Sequence, residues 1–78
     1  MPTELRYKGY RFFFFSLDKG EPPHIHVEKG DNYAKFWLKP VCVARSRGFR
    51  DHELNDIAEI VENNINILEG KWNEYFSR

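Results

Sequence analysis

The sequence has a single cysteine and no long apolar run, and each shortage argues against a class of protein. Cys42 has no second cysteine to pair with, whereas a secreted domain of 78 residues usually depends on several disulfides. No apolar segment approaches the roughly 18 residues that a membrane span needs, and the N-terminal residues lack the charged start and apolar core of a signal peptide. We therefore expect a cytoplasmic protein with no membrane segment.

A net charge is also lacking, but the charges are unevenly distributed. Lys/Arg and Asp/Glu number 12 each, which gives a formal charge of zero. Residues 1–50 hold ten basic and five acidic side chains, whereas residues 51–78 hold two and seven. This split is compatible with an acidic ligand such as RNA, and with head-to-tail association into a homo-oligomer.

Internal repeats, low-complexity tracts and the motifs of phosphate-loop, dinucleotide, zinc-ribbon and EF-hand sites are absent as well. We expect no cofactor on this basis. What the chain does have is 41% hydrophobic and 17% aromatic residues, a composition typical of chains that fold around a core. Its length allows one domain, residues 1–78.

Residues 1–46 are expected to form an antiparallel sheet. Strand-forming segments separated by turn residues lie at 4–7, 10–16, 24–29, 33–38 and 41–44. Lys8-Gly9 suits a two-residue hairpin turn, and Pro40 ends the fourth segment. Four or five strands in hairpin order predict a meander, followed by a basic loop over residues 45–50.

The second segment is aromatic on both of its faces. Because side chains alternate along a strand, Phe12 and Phe14 point to one side and Phe13 and Phe15 to the other. A single sheet with one helix covers only one side. We therefore predict that Phe13 and Phe15 contact a subunit, a partner or a ligand.

Helical periodicity begins at Asp51, the expected N-cap. Apolar residues recur at spacings of three and four, namely Leu54, Ile57, Val61, Ile65, Leu68, Trp72 and Phe76. They predict one long amphipathic helix over residues 51–76, about 39 Å long at 1.5 Å per residue. The fold class is thus α+β, a small antiparallel meander with one C-terminal helix.

A helix of that length exceeds what the sheet needs. Its end, with Trp72, Tyr75 and Phe76, is therefore predicted to overhang and to pack on another chain. The alternative is a helix that breaks near Asn63-Asn64 or at Gly70 and folds back on its own sheet.

The stretch EPPHIHVEKGD is the main candidate site. On a strand His24, His26 and Glu28 share one face, and the preceding prolines fix how the chain enters that strand. Such a histidine pair can act as general acid and base, can bind a metal with Glu28 or with His52, or can donate hydrogen bonds to an acidic partner. The plainer alternative is that they are polar residues on the wet face of an antiparallel strand.

Basic side chains near this strand are candidates for phosphate contacts. Arg45, Arg47 and Arg50 lie in the expected basic loop, and Lys35 lies on the strand after the histidine strand. Tyr33 and Trp37 share a strand face with Lys35, an arrangement that could stack bases. A solvated loop and ordinary packing of Trp37 are the alternatives.

Three segments carry a family resemblance: MPTELRYKGYRFFFFS at the N-terminus, EPPHIHVEKGDNYAKFWLKPV, and GFRDHELNDIAEIVENN with the terminal KWNEYF. On these residues the chain resembles the small bacterial domain-of-unknown-function family 4160, and the Pro-Pro-His-x-His segment is the most specific part. The resemblance implies a compact protein that is often encoded beside a second small protein, as in toxin–antitoxin modules. Many relatives have a serine cap where this chain has Arg50-Asp51, which leaves the helix start open.

The residues and the resemblance together predict a toxin-like component that acts on RNA and pairs with a small partner protein. His24 and His26 would be acid and base, Glu28 would orient or assist them, and basic side chains would hold phosphate. Two alternatives stay open. One is a non-enzymatic module that binds a partner or itself through its aromatic surfaces, and the other is a small metal-binding domain with His24, His26 and Glu28 as ligands.

Overall fold

The strands of the computed structural model follow one another in the sheet in the order in which they occur along the chain. The structure describes residues 4–14 and 20–76. Its strands are β1 (Glu4–Tyr7), β2 (Tyr10–Phe13), β3 (His24–Lys29), β4 (Asn32–Leu38) and β5 (Val41–Arg47). All neighbouring pairs are antiparallel, so the predicted meander is confirmed with five strands. Two helices follow, α1 (Asp51–Asn63) and α2 (Ile65–Phe76).

The first hairpin forms where the sequence predicts it. Lys8 and Gly9 have φ values of 52° and 84°, as the two central residues of a type I′ turn require. β2 is shorter than predicted and ends at Phe13, and Phe14 continues into the core without strand pairing. Residues 15–16 of the predicted strand, including Phe15, lie outside the described residues.

The expected basic loop is mostly strand. β5 continues to Arg47 because Arg45 pairs with Lys35 and Arg47 pairs with Tyr33. Phe36 pairs with Val43, so Ala44 is an extra residue on β5, a β-bulge. Past the bulge, Arg45 and Arg47 lie on the same face of the sheet as Lys35, and only residues 48–50 connect β5 to α1.

The prediction of one long helix is wrong, because the helix breaks at Asn64. There the backbone N–H donates to Val61 O at 3.1 Å, and side-chain Nδ2 donates to Ile60 O at 2.8 Å. An asparagine side chain that bonds a carbonyl in the preceding turn competes with regular helical pairing. α1 and α2 therefore fold back on one sheet, which is the alternative that the sequence left open.

The helix begins at Asp51 as predicted, but the N-cap residue differs from the prediction. Arg50, with φ −85° and ψ 163°, is the N-cap, and Asp51 is the first helical residue. The Arg50 backbone N–H donates to Glu53 Oε1 at 2.8 Å, so a glutamate one turn later satisfies a donor at this helix end. Asp51 and Glu53 place negative charge in the first turn, where the helix dipole favours it.

The core lies between the helices and one face of the sheet. Buried strand residues meet buried helix residues in a single cluster that includes Phe12, Phe14, Ile25, Val27, Phe36, Leu38, Ile57, Val61, Leu68 and Trp72. The predicted overhang of the helix end is not observed. Trp72 is 7% exposed and packs edge-on against Phe14, with ring centroids 5.5 Å apart. Within the described residues, neither helix is long and apolar enough to span a membrane.

Candidate functional site

The side of the sheet opposite the core, called here the polar face, gathers most of the predicted site residues. Antiparallel partners point to the same side, so the register arranges this face in rows across the strands. One row consists of Phe13, His26, Lys35 and Arg45. A second row consists of Arg11, Glu28, Tyr33 and Arg47. A third begins with His24 and Trp37.

His24 is fully buried at the start of β3. Its side chain is 0% exposed, and its Nδ1 donates to Pro22 O at 2.9 Å, because a proline carbonyl can only accept. Trp37 and Trp72 flank the imidazole, with ring centroids 5.7 Å and 5.0 Å away. Pro22 thus contributes a hydrogen bond as well as stiffness, and the wet-strand alternative is wrong for this residue.

His26 is nearly as buried, at 6% exposure. Its Nδ1 lies 2.8 Å from the Tyr33 hydroxyl, a hydrogen bond across the β3–β4 pair. Its ring stacks on Phe13 with centroids 5.4 Å apart, and the two imidazoles meet edge to face at 5.1 Å. The two histidines therefore do converge, inside an aromatic enclosure formed by Phe13, Tyr33, Trp37 and Trp72.

Glu28 shares the face but binds a different partner. Its Oε1 accepts a hydrogen bond from Arg11 Nη2 at 2.8 Å in a partly exposed ion pair. Within the described residues the orienting contact to His26 comes from Tyr33, and not from Glu28. The predicted role of Glu28 beside the histidines stays a prediction, to be tested by substitution.

Lys35 and Glu21 form a second ion pair at the edge of the enclosure. Lys35 Nζ lies 2.8 Å from Glu21 Oε1 and 4.8 Å from the centre of the Trp37 ring. The same carboxylate oxygen lies 4.0 Å from His24 Nδ1. Lys35 is thus available for a phosphate only in competition with Glu21.

Arg45 and Arg47 are exposed on β5, and within the described residues neither guanidinium has an ion pair or a hydrogen bond. Their register places them beside Lys35 and Tyr33 on the polar face. Arg50 is also exposed, but it lies at the start of α1. The strand register therefore places Arg45 and Arg47, but not Arg50, in rows that cross the histidine strand.

The predicted partner-binding aromatics mostly pack within the chain. Phe13 is 2% exposed, because His26 stacks on it and the Arg11 guanidinium lies 4.2 Å from its ring centre. Tyr75 and Phe76 are partly buried and contact Phe14 at centroid distances of 6.5 Å each. The expectation of an uncovered aromatic face is thus not met at Phe13, and Phe15 lies outside the described residues.

The described residues do not provide a set of ligands for the metal-binding alternative. Among the described residues, no three His, Cys, Asp or Glu side chains are placed to hold a metal ion. Glu28 points to Arg11, and His52 lies exposed on α1.

Three contacts in the site were missed by reasoning from the sequence. Arg11 and Tyr33 pair with Glu28 and His26 only because β2 and β4 flank β3 in this register. The turn at residues 30–31 could have suggested that Tyr33 lies opposite Glu28, one row from His26. No comparable signal places Trp72 beside His24.

These features define a class: a small α+β domain in which two helices cover one side of a five-stranded meander and the other side carries a buried histidine pair beside basic side chains. The chain belongs to the family described as Domain of unknown function (DUF4160), whose model matches residues 9–73. That match includes the histidine strand, β5, all of α1 and most of α2, and it leaves out β1. No curated protein and no solved structure matches the chain.

Proposed function

We propose that this domain binds single-stranded RNA on its polar face, with Arg45 and Arg47 holding phosphates. The observation that carries the proposal is the exposure of both guanidiniums on β5, in rows that they share with aromatic side chains. Arginine makes bidentate contacts with phosphate, and two arginines two residues apart on a strand lie about 6.6 Å apart along it, close to the spacing of successive phosphates.

Aromatic rings on the same face favour RNA, rather than an isolated anion, as the ligand. Tyr33 and Trp37 are partly exposed on β4, next to the arginine strand. Single strands bind to grooves and sheets that combine cations along the backbone with rings on which bases stack. Glu21 and Glu28 neutralise Lys35 and Arg11, so the two arginines of β5 supply most of the uncompensated positive charge.

The test is fluorescence anisotropy with labelled oligonucleotides, comparing the wild type with Arg45→Gln/Arg47→Gln. We expect affinity to fall about tenfold or more and the salt dependence to lose about 1 to 1.5 in slope, since each lost phosphate contact on a single strand removes about 0.7. Lys8→Gln/Lys29→Gln is the matched control, because it removes the same charge from exposed lysines outside the two rows. If both double variants lost the same RNA affinity, a specific role for the arginines of β5 would be refuted.

Cleavage of the bound RNA is the second candidate, favoured by one observation. His26 lies in the row with Lys35 and Arg45, and its ring centroid is 5.1 Å from that of His24. RNA supplies its own 2′-hydroxyl nucleophile, so proton transfer by imidazoles is sufficient chemistry. The burial of both rings means that the enclosure must open before either nitrogen reaches a ribose.

Cleavage is tested by incubating labelled RNA with the wild type, His26→Gln and the exposed-histidine control His52→Gln. If His26→Gln loses cleavage while His52→Gln keeps it, and both variants stay folded, the result supports a catalytic His26. Intact RNA with the wild type leaves the domain as a binding module. The toxin-like role and the small partner protein implied by the resemblance would follow only from the first outcome, together with growth arrest that a co-expressed neighbour relieves.

A further inference from the structure

β5 forms one of the two edges of the sheet. β5 is the last strand in the sheet order, so on its outer side no described strand pairs with its backbone N–H and C=O groups. Six of its seven residues are exposed. An exposed edge of this length is a template for an added strand unless something protects it.

The side chains of β5 specify what an added strand would have to carry. Arg45 and Arg47 point to the polar face, whereas Val43, which is 41% exposed, pairs with Phe36 and points to the other face. A strand running beside β5 would therefore meet two guanidiniums on one side and an apolar side chain on the other. Acidic side chains two residues apart complement the first side, and a β-branched residue complements the second.

The β5 strand of a second copy, paired about Ser46, does not fit that edge. Antiparallel pairing of β5 with another β5 about Ser46 would set Arg45 opposite Arg47 twice, and like charges directly opposite each other are destabilising. A nucleic acid does not fit the edge itself either, because its backbone lacks the regularly repeated amides that pair with a strand. RNA is therefore proposed as a ligand of the polar face and not of this edge.

We propose that an extended acidic segment of a partner protein adds to β5 as a sixth strand, with its carboxylates on Arg45 and Arg47. This interaction does not depend on RNA binding, but both ligands would use the same two arginines. An acidic strand on β5 would therefore displace RNA from the polar face if both proposals are right.

The experiment uses a short synthetic peptide of alternating glutamate and threonine, with binding measured by isothermal titration in the absence of RNA. Three comparisons isolate strand addition. The first is the same peptide N-methylated at alternate residues, which keeps the charge but cannot complete a ladder. The second is a composition-matched scramble that places glutamates on both faces. The third is a lysine version offered to the Arg45→Glu/Arg47→Glu variant.

We expect the alternating peptide to bind the wild type and the N-methylated and scrambled peptides to bind about tenfold or more weakly. The lysine peptide should bind the charge-reversed variant and not the wild type. Those backbone amides of 42–47 that point away from β4 should gain hydrogen-exchange protection. Equal binding of the N-methylated peptide would show attraction by charge without strand addition. Absence of binding would show that the arginines and the bulge protect the edge from pairing. Either result overturns the proposal, whatever the RNA measurements give.

Discussion

At the scale of single residues, burial changes what the two histidines of β3 can do. An exposed imidazole is ready to exchange protons with a ligand, whereas His24 is enclosed and its Nδ1 is committed to Pro22 O. Burial of the His24 ring is tolerated because its Nδ1 has a hydrogen-bond partner and the ring packs among aromatic side chains. The histidine pair therefore contributes to the fold whether or not it also serves chemistry.

Substitution of His24 is expected to destabilise the domain. His24→Ala removes the hydrogen bond to Pro22 and leaves a cavity between Trp37 and Trp72, so the free energy of unfolding should fall by about 2–4 kcal/mol. His52→Ala, at an exposed helical position, should stay within about 0.5 kcal/mol of the wild type. Urea unfolding followed by tryptophan fluorescence measures both. Similar midpoints for the two variants would contradict a packing role for His24.

At the scale of elements, backbone geometry fixes where β5 gives way to α1. Gly48 has φ +90°, a conformation that L residues rarely adopt, and it lies against Asn32 at the start of β4. The turn brings Arg50 to the helix start directly after the arginine strand. Gly70, by contrast, lies in α2 with open space where a Cβ would be.

The two glycines should respond in opposite directions to alanine. Gly48→Ala forces a Cβ onto the Asn32 side chain at a positive φ, so we expect a loss of about 1–3 kcal/mol in stability. Gly70→Ala should gain about 0.5–1 kcal/mol, because alanine lowers the entropic cost of helix formation. Thermal unfolding of the two variants beside the wild type tests the pair. A destabilised Gly70→Ala would mean that α2 needs flexibility there.

At the scale of the whole molecule, the packing of the sheet on α1 leaves an electrostatic signature at Tyr10. Its ring packs beside Phe49, with centroids 6.0 Å apart, and Lys29 Nζ lies 5.0 Å from its centre. Burial raises the pKa of the Tyr10 phenol above its usual 10.0, and the carboxylates of Glu53 and Asp56 raise it further. All of these causes disfavour the phenolate.

Stability is therefore expected to fall in alkaline solution. The contribution of Tyr10 is fully present below pH 10.0, where the unfolded chain also keeps its proton, and is lost as the pH rises through the raised folded pKa. Tyr10→Phe cannot ionise and should flatten this part of the pH profile. Tyr7→Phe, at a residue that is 48% exposed, is the matched tyrosine control. Urea midpoints across this pH range provide the measurement. An identical alkaline decline in Tyr10→Phe would assign it to other groups.

The sequence determined the elements and their order, because those depend on neighbours along the chain. The period of two, the Lys8-Gly9 turn and the change to helical spacing at Asp51 place four of the five strand starts and the beginning of α1. The same local patterns did not determine the extent of β5, since Arg45 and Arg47 are strand residues only through their pairing with β4.

What only the tertiary structure decided is which side chains surround the histidines. The sequence placed His24, His26 and Glu28 on one face, but it could not show that Arg11 pairs with Glu28 or that Tyr33 bonds His26. Trp72 lies 48 residues from His24 along the chain, and the break at Asn64 and the packing of α2 bring it there. A helical pattern gives the direction in which Trp72 points from its own helix, whereas its neighbours depend on how that helix docks on the sheet.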